Sequence, residues 1–419
     1  MDKLLMIRLL CLLIATLPIA KGYCSDEEIT NTFSQQQSVI AHHNGFYFPD
    51  NRVTYQNMGK LYPNATLFNG NHIWKLNTVP SSLDNLIIKD GNESYPLGKI
   101  GNHRKIDSVV VLEKGNIRFE KYFNGQTEYT RHQLNSVTKS VSWLAIQPLI
   151  DSGKIDPDAQ VSHYLPELAH SAWGDAKVSQ VAAMTTSLQY DEDYAKPDSG
   201  FNRYLAAGNF IPGEQNPPGL LAFLRGIKKA AHPQGSQFNY ATVNTDVMCL
   251  IAEKVANKPA WQIIEDNVWK KIGAERDAFI LLDNKGQTFC GAGMSATTRD
   301  IARLGQVVLN TVTGNTPRFD SPGLANLIKD KGNKKAWDAG DYGKKISYEQ
   351  GYNHFWWFIG DKEQIISAEG INGQLVYIDP EKNIVIAVNS SFVNSDADSD
   401  WKFLFSVASQ ITDQLSQNK

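Results

Sequence analysis

The 419-residue chain has little excess charge: 41 Lys and Arg stand against 44 Asp and Glu, a formal net charge of −3. That balance leaves no basic footprint for a nucleic-acid backbone. Cysteine is scarce too, with four in all. Cys11 lies in the N-terminal apolar run, which leaves Cys24, Cys249 and Cys290. Three cysteines cannot form a disulfide framework. Cys249, within VMCLIAEKV, reads as a small buried hydrophobe, and whether Cys24 pairs with Cys290 stays open. No His-Glu-x-x-His and no Cys/His ligand set occurs among the nine histidines, so neither a metal nor any other cofactor is expected. The absence of a Gly-x-Ser-x-Gly elbow argues against an α/β-hydrolase. No internal repeat is found, and QQQ at 35–37 is the sole low-complexity tract.

Long apolar runs are equally rare. LLCLLIATLPIA, preceded by MDKLLMIR and followed by Lys21 and Gly22, has the layout of a secretory signal peptide. Residues 1–22 are expected to be removed near Tyr23, with the mature protein periplasmic or secreted. The run is short for a bilayer span, so no stable membrane span is expected after cleavage; the alternative is an uncleaved anchor. Tyr23 stands where a lipoprotein signal would place a small residue before Cys24.

Along the rest of the chain, residues 23–95 read as an irregular lead-in. IDSVVVLEKGNIRFEKYF (106–123) predicts two strands about a turn at Gly115–Asn116. From 150 to 330 the signals are mostly helical, as in VNTDVMCLIAEKVA and TTRDIARLGQVVLN. After 350, YNHFWWFIG, QLVYID and NIVIAVNSS read as strands, and SDWKFLFSVASQITDQL as an amphipathic closing helix. Strands at both ends can share one antiparallel sheet. The expected fold is α+β: an antiparallel sheet domain (96–149 and 331–419) flanked by helices, with a mostly helical insert (150–330).

One stretch carries chemistry. LNSVTKSVSWLAIQ (134–147) sets Ser136 and Lys139 three apart at the start of an apolar helix, hence on one face. A serine hydroxyl is a weak nucleophile until a neighbour takes its proton. A lysine can do so only when neutral, and the apolar run supplies the desolvation that lowers its pKa. The spacing alone decides nothing, because Ser-x-x-Lys recurs at Ser399/Lys402 and Ser416/Lys419. The structural alternative is a helix N-cap beside a surface lysine.

Further segments tilt the balance. SVTK resembles the nucleophile motif of serine β-lactamases and penicillin-binding proteins. Tyr240-Ala241-Thr242 resembles the Tyr-x-Asn motif of the class C branch, and Ala368-Glu369-Gly370 falls at the Lys-Thr-Gly place. The texture is most similar to 6-aminohexanoate-dimer hydrolases and related esterases, at SVTKS, MTTSLQYDEDY, NYATVNTDV, GAGMSATTRDIARLG and GINGQLVYIDPE. The resemblance implies a β-lactamase/transpeptidase-like fold. It also implies Ser136 as acylated nucleophile, Lys139 as its base and Tyr240 as proton relay to the leaving group. The backbone N–H groups of Ser136 and Ile371 would form the oxyanion hole, and Tyr194, Thr242 and Gly370 would meet substrate. Two departures stand out: Thr242 replaces the asparagine of the second motif, and Ala368 replaces the lysine of the third, which meets a substrate carboxylate in β-lactam-processing relatives.

The expected function is therefore an exported serine hydrolase acting on a small-molecule or short-peptide amide or ester. A D-Ala-D-Ala carboxypeptidase or β-lactamase is the rival within the class, and a catalytically silent binding protein of the same fold the rival outside it. The oligomeric state is not legible. GAGMSA (291–296) fits a dinucleotide fingerprint but lacks a surrounding βαβ unit. His132 would have to reach back from outside the helix to serve as a base, and WWF (356–358) reads as core or pocket wall.

Overall fold

The computed structural model describes residues 45–213, 215–315, 318–340, 342, 349–360 and 364–417. The signal-peptide segment, Cys11 and Cys24 lie outside them. Thirteen strands are described. In chain order they are β1 (Asn64–Leu67), β2 (Ile87–Asp90), β3 (Glu93–Pro96), β4 (Ile106–Glu113), β5 (Asn116–Tyr122), β6 (Arg131–Gln133), β7 (Ala278–Leu281), β8 (Met294–Thr297), β9 (Glu349–Asn353), β10 (Trp356–Ile359), β11 (Ile365–Gly370), β12 (Gln374–Asp379) and β13 (Ile384–Ser390). Four of the helices matter for the site and its supports: α1 (Val137–Asp151), α2 (Thr242–Ala256), α3 (Thr298–Thr313) and α4 (Asp398–Gln417).

The main sheet has seven strands in the order β5-β4-β13-β12-β11-β10-β9, every pair antiparallel. The last strand, β13, lies beside the first long one, β4, with Val388 opposite Val109, so the two ends of the chain close one sheet. Strands β4, β12 and β13 are buried along their whole length, which is why they read as near-continuous apolar runs rather than alternating ones. The β4–β5 turn falls on Lys114 and Gly115, both at positive φ, one residue before the expected place. YNHFWWFIG is not one strand: His354 and Phe355 turn the chain at positive φ between β9 and β10.

A second sheet of four short strands, β1-β7-β8-β6, has no counterpart in the sequence reading. It draws β1 from the stretch read as a lead-in and β7 and β8 from the stretch read as a helical insert. Helix α3 also lies on the main sheet, against β4, β12 and β13. A Cβ at Gly305 would come within 2.6 Å of Val385 Cγ1, so the close approach of helix to sheet needs a glycine there. Helix α1 is buried almost all round and runs against β11, while α4 packs on the β2–β3 hairpin. No helix among the described residues is long and apolar enough to cross a membrane.

Cysteine pairing is a correction. Cys249 on α2 bonds Cys290 across 41 residues, so Cys249 is not a lone hydrophobe and Cys290 is not available to Cys24. Both sulfurs are buried in apolar surroundings, which is why the local sequence around Cys249 looks like core.

Candidate active site

Ser136 sits at the N-terminus of α1, and its hydroxyl makes no capping bond. The residue before it, Asn135, adopts a left-handed backbone (φ 46°), a conformation asparagine tolerates better than most residues. Its side-chain Nδ2 donates to the Ile371 carbonyl at 2.9 Å and to the Tyr55 hydroxyl at 3.0 Å. The turn that presents Ser136 is thereby tied to the end of β11. Gly370 closes the approach: a Cβ there would stand 2.4 Å from the Leu134 carbonyl oxygen and 3.0 Å from the Ser136 nitrogen. Among the described residues the N–H groups of Ser136 and Ile371 have no hydrogen-bond acceptor.

Lys139 follows one turn later and is 1% exposed. Its Nζ donates to Ser136 Oγ at 2.8 Å and to the Gly291 carbonyl at 2.7 Å. Burial pulls its pKa down to about 8, while Glu192 and Asp246 oppose the fall by favouring the charged form. The lysine is thus no surface residue beside an N-cap. The other two Ser-x-x-Lys matches differ in kind: Lys402 is exposed and ion-paired with Asp398, and Ser416 donates to the Thr412 carbonyl within α4.

Tyr240, just before α2, lines the same cavity as Ser136. Its ring stacks on Trp357 (5.3 Å between centroids, 22° between planes), and Lys139 Nζ lies 5.1 Å from the ring centre. Burial raises the phenol's pKa well above its ordinary value, with Glu192 adding to the rise, so Tyr240 is a hydroxyl donor at neutral pH.

Ser136, Tyr194, Tyr240, Gly370 and Ile371 line one cavity, together with Tyr342, Trp357, Trp401, Glu349, Glu369 and Asp396. Thr242 does not line it. That residue is fully buried, and its amide and hydroxyl both donate to Glu192. A threonine there anchors a carboxylate behind Tyr240 instead of meeting substrate directly. Ala368 is likewise enclosed in the core, and Glu369 is the residue of the third motif that faces the cavity. His132 is buried with its Nε2 3.2 Å from Asp107 Oδ2, outside the Ser136 constellation. GAGMSA contributes the Gly291 carbonyl that holds Lys139.

Glu192, Asp246, Glu349 and Asp396 carry no role in the sequence reading, and Asn135 enters it only as a candidate helix start. Each of the four is a common acidic residue with no motif spacing of its own, although Glu192 lies within MTTSLQYDEDY and Asp246 within NYATVNTDV.

A family model described as Beta-lactamase matches residues 99–409. The chain belongs to the beta-lactamase family. The 6-aminohexanoate-dimer hydrolase of Paenarthrobacter ureafaciens is 32% identical over 292 residues, covering 69% of this chain and 74% of that one. A Bacillus anthracis structure provisionally described as a 6-aminohexanoate-dimer hydrolase superposes with a TM-score of 0.81 over 91% of this chain and 98% of its own, at 24% identity. A family VIII carboxylesterase shares the fold at a TM-score of 0.55 and 14% identity, over 75% and 95% of the two chains. The resemblance read from the ordered motifs therefore holds, and with it the β-lactamase/penicillin-binding-protein-like fold. The chain is a serine hydrolase of the beta-lactamase family.

Proposed function

We propose that this protein cleaves a small amide or ester through an acyl-enzyme on Ser136. The observation that carries the reading is the 2.8 Å contact between Ser136 Oγ and a lysine whose ammonium form is destabilised by burial. Neutral Lys139 accepts the Ser136 proton as Oγ attacks the carbonyl carbon. The oxygen that becomes negative is met by the N–H groups of Ser136 and Ile371, brought together by the close approach at Gly370. Tyr240, protonated, gives its proton to the departing amine or alkoxide and is recharged from Lys139. Water then attacks the acyl carbon under the same base and releases the acid. Tyr194 walls the cavity mouth, and Thr242 fixes Glu192 behind the phenol.

Export fits the same account. The Cys249–Cys290 bond is chemistry of an oxidising compartment, and the N-terminal run has signal-peptide layout.

Within this family the competing substrates are β-lactams and D-alanyl peptides, both carrying a carboxylate near the scissile bond. Glu369 and Glu349 line the cavity where such a group would need a cation. A p-nitrophenyl ester and a short ω-amino amide are expected to exceed nitrocefin in kcat/KM at least tenfold, about 1.4 kcal/mol of transition-state discrimination. Faster nitrocefin turnover than either would favour the β-lactamase reading. A protein inert to all three, and dark to a fluorophosphonate probe, would favour a silent binder.

A further inference from the structure

The N–H groups of Ser136 and Ile371 sit on separate turns, one entering α1 and one leaving β11. Each turn carries an asparagine at positive φ beside its N–H. Asn135 (φ 46°) precedes Ser136, and Asn372 (φ 62°) follows Ile371. Tyr55 stands between the two and is completely buried. Its hydroxyl accepts from Asn135 Nδ2 at 3.0 Å. It also lies 2.8 Å from both Asn372 Oδ1 and the Phe46 carbonyl, one of which takes its single proton. Burial raises the phenol's pKa, so that proton stays in place at neutral pH. The Tyr55 carbonyl accepts from the Gln133 amide at 2.9 Å, and its ring meets His132 edge-on, the centroids 5.5 Å apart. One residue thus touches both the run into Ser136 and the turn after Ile371.

We propose that Tyr55 is a positioning residue for the oxyanion hole, its hydroxyl setting the spacing of the Ser136 and Ile371 N–H groups through Asn135 and Asn372. The inference rests on the acyl-enzyme reading above. It adds a residue from the stretch read as a lead-in, ahead of the family-matched residues 99–409. Tyr55 follows a one-turn helix, Asn51–Thr54, that is pinned to the main sheet. Arg52 Nη1 donates to Asp107 Oδ1 on β4 at 2.8 Å and to Ser391 Oγ, just after β13, at 3.0 Å. Asn51 Nδ2 and Asn372 Nδ2 both donate to the Phe392 carbonyl, at 3.3 and 2.8 Å. The hydroxyl is therefore held from a fixed base. Donors to a developing oxyanion act only when aimed where that oxygen will be, and a preset geometry costs no reorganisation during reaction. Without the hydroxyl, Asn135 Nδ2 keeps only the Ile371 carbonyl, and a buried acceptor loses its donor. The polar link between the two turns then rests on the Asn135–Ile371 bond. Glu192 and Asp246, not Tyr55, carry the charges that act on Lys139, so the effect is confined to the hole.

The test is Tyr55→Phe, which removes the hydroxyl and keeps the ring. Rates are referred to sites titrated to completion with a fluorophosphonate, so that lost fold does not count as lost catalysis. Outright loss of one oxyanion donor costs roughly 10²-fold or more, and a misplaced donor less. With a p-nitrophenyl ester, kcat is expected to fall at least tenfold while KM stays within about twofold of wild type. A trifluoromethyl ketone, whose adduct on Ser136 puts an oxyanion in the hole, is expected to bind at least tenfold more weakly. The acid-side limb of the pH profile, set by Lys139 near pH 8, is expected not to move. Should Tyr55→Phe not fold, Asn372→Gly decides. Glycine keeps the positive φ and removes the amide that Tyr55 meets, and the same two losses are expected. Values of kcat and ketone affinity both within about twofold of wild type overturn the proposal. So does a loss carried by KM alone, or a fall in kcat with a shifted acid limb, which would place the effect on Lys139. Ester turnover that survives in Ser136→Ala would instead overturn the acyl-enzyme reading, so the two failures are distinct.

Discussion

At the scale of single residues, the proposed mechanism turns on the protonation of Lys139. Desolvation favours its neutral form, and Glu192 and Asp246 favour the charged one. Its pKa near 8 lies below that of a free lysine, and the neutral amine is the form that can accept a proton from Ser136. Activity should therefore rise as pH increases through about 8 and fall on the acid side. Lys139→Ala should lower kcat by roughly 10²-fold or more and remove the acid-side limb, with the fold retained by circular dichroism. A flat wild-type profile from pH 6 to 9 would contradict a lysine base. Ser136, Lys139 and Tyr240 were legible because their neighbours form ordered motifs. Glu192, Asp246 and Glu349 were not, since an isolated acidic residue reads as a solvated surface charge until the fold buries it. Thr242 and Ala368 were placed by motif position, which does not say which way a side chain points.

At the scale of elements, the site depends on segments far apart in sequence being held in register. Helix α2 carries Asp246 and Cys249. Cys290 immediately precedes Gly291, whose carbonyl takes the second hydrogen bond from Lys139. The disulfide joins the two. Closing a loop of this length restricts the unfolded chain by about 4 kcal/mol in the entropy treatment. Cys249→Ala/Cys290→Ala should accordingly lose about 2–4 kcal/mol of stability by urea unfolding. An unchanged urea midpoint would show that the bond constrains neither state. This pairing was hidden in sequence because both cysteines sit among apolar residues. The long strands β4, β12 and β13 announced themselves by sustained apolar character. The three- and four-residue strands β1, β6, β7 and β8 are too short for any periodicity, and the second sheet went unseen for that reason.

At the scale of the whole molecule, strands from both ends of the chain close one sheet, and the site lies where β11 meets the start of α1. That arrangement followed from apolar runs at both ends of a mostly helical middle. The boundaries of a separate insert were less legible, because α3, helical by its period, packs on the sheet. Export belongs to this scale too. Intact mass of protein recovered from the periplasm should correspond to a chain beginning near Tyr23, and retention of Met1 on that material would contradict cleavage. The central claim is that Ser136 is acylated. Labelling the purified protein with a fluorophosphonate and mapping the adduct by peptide mass spectrometry tests it most directly. One adduct per chain on the peptide containing Ser136, absent from Ser136→Ala, is the predicted result; labelling of another residue, or equal labelling of Ser136→Ala, would contradict it.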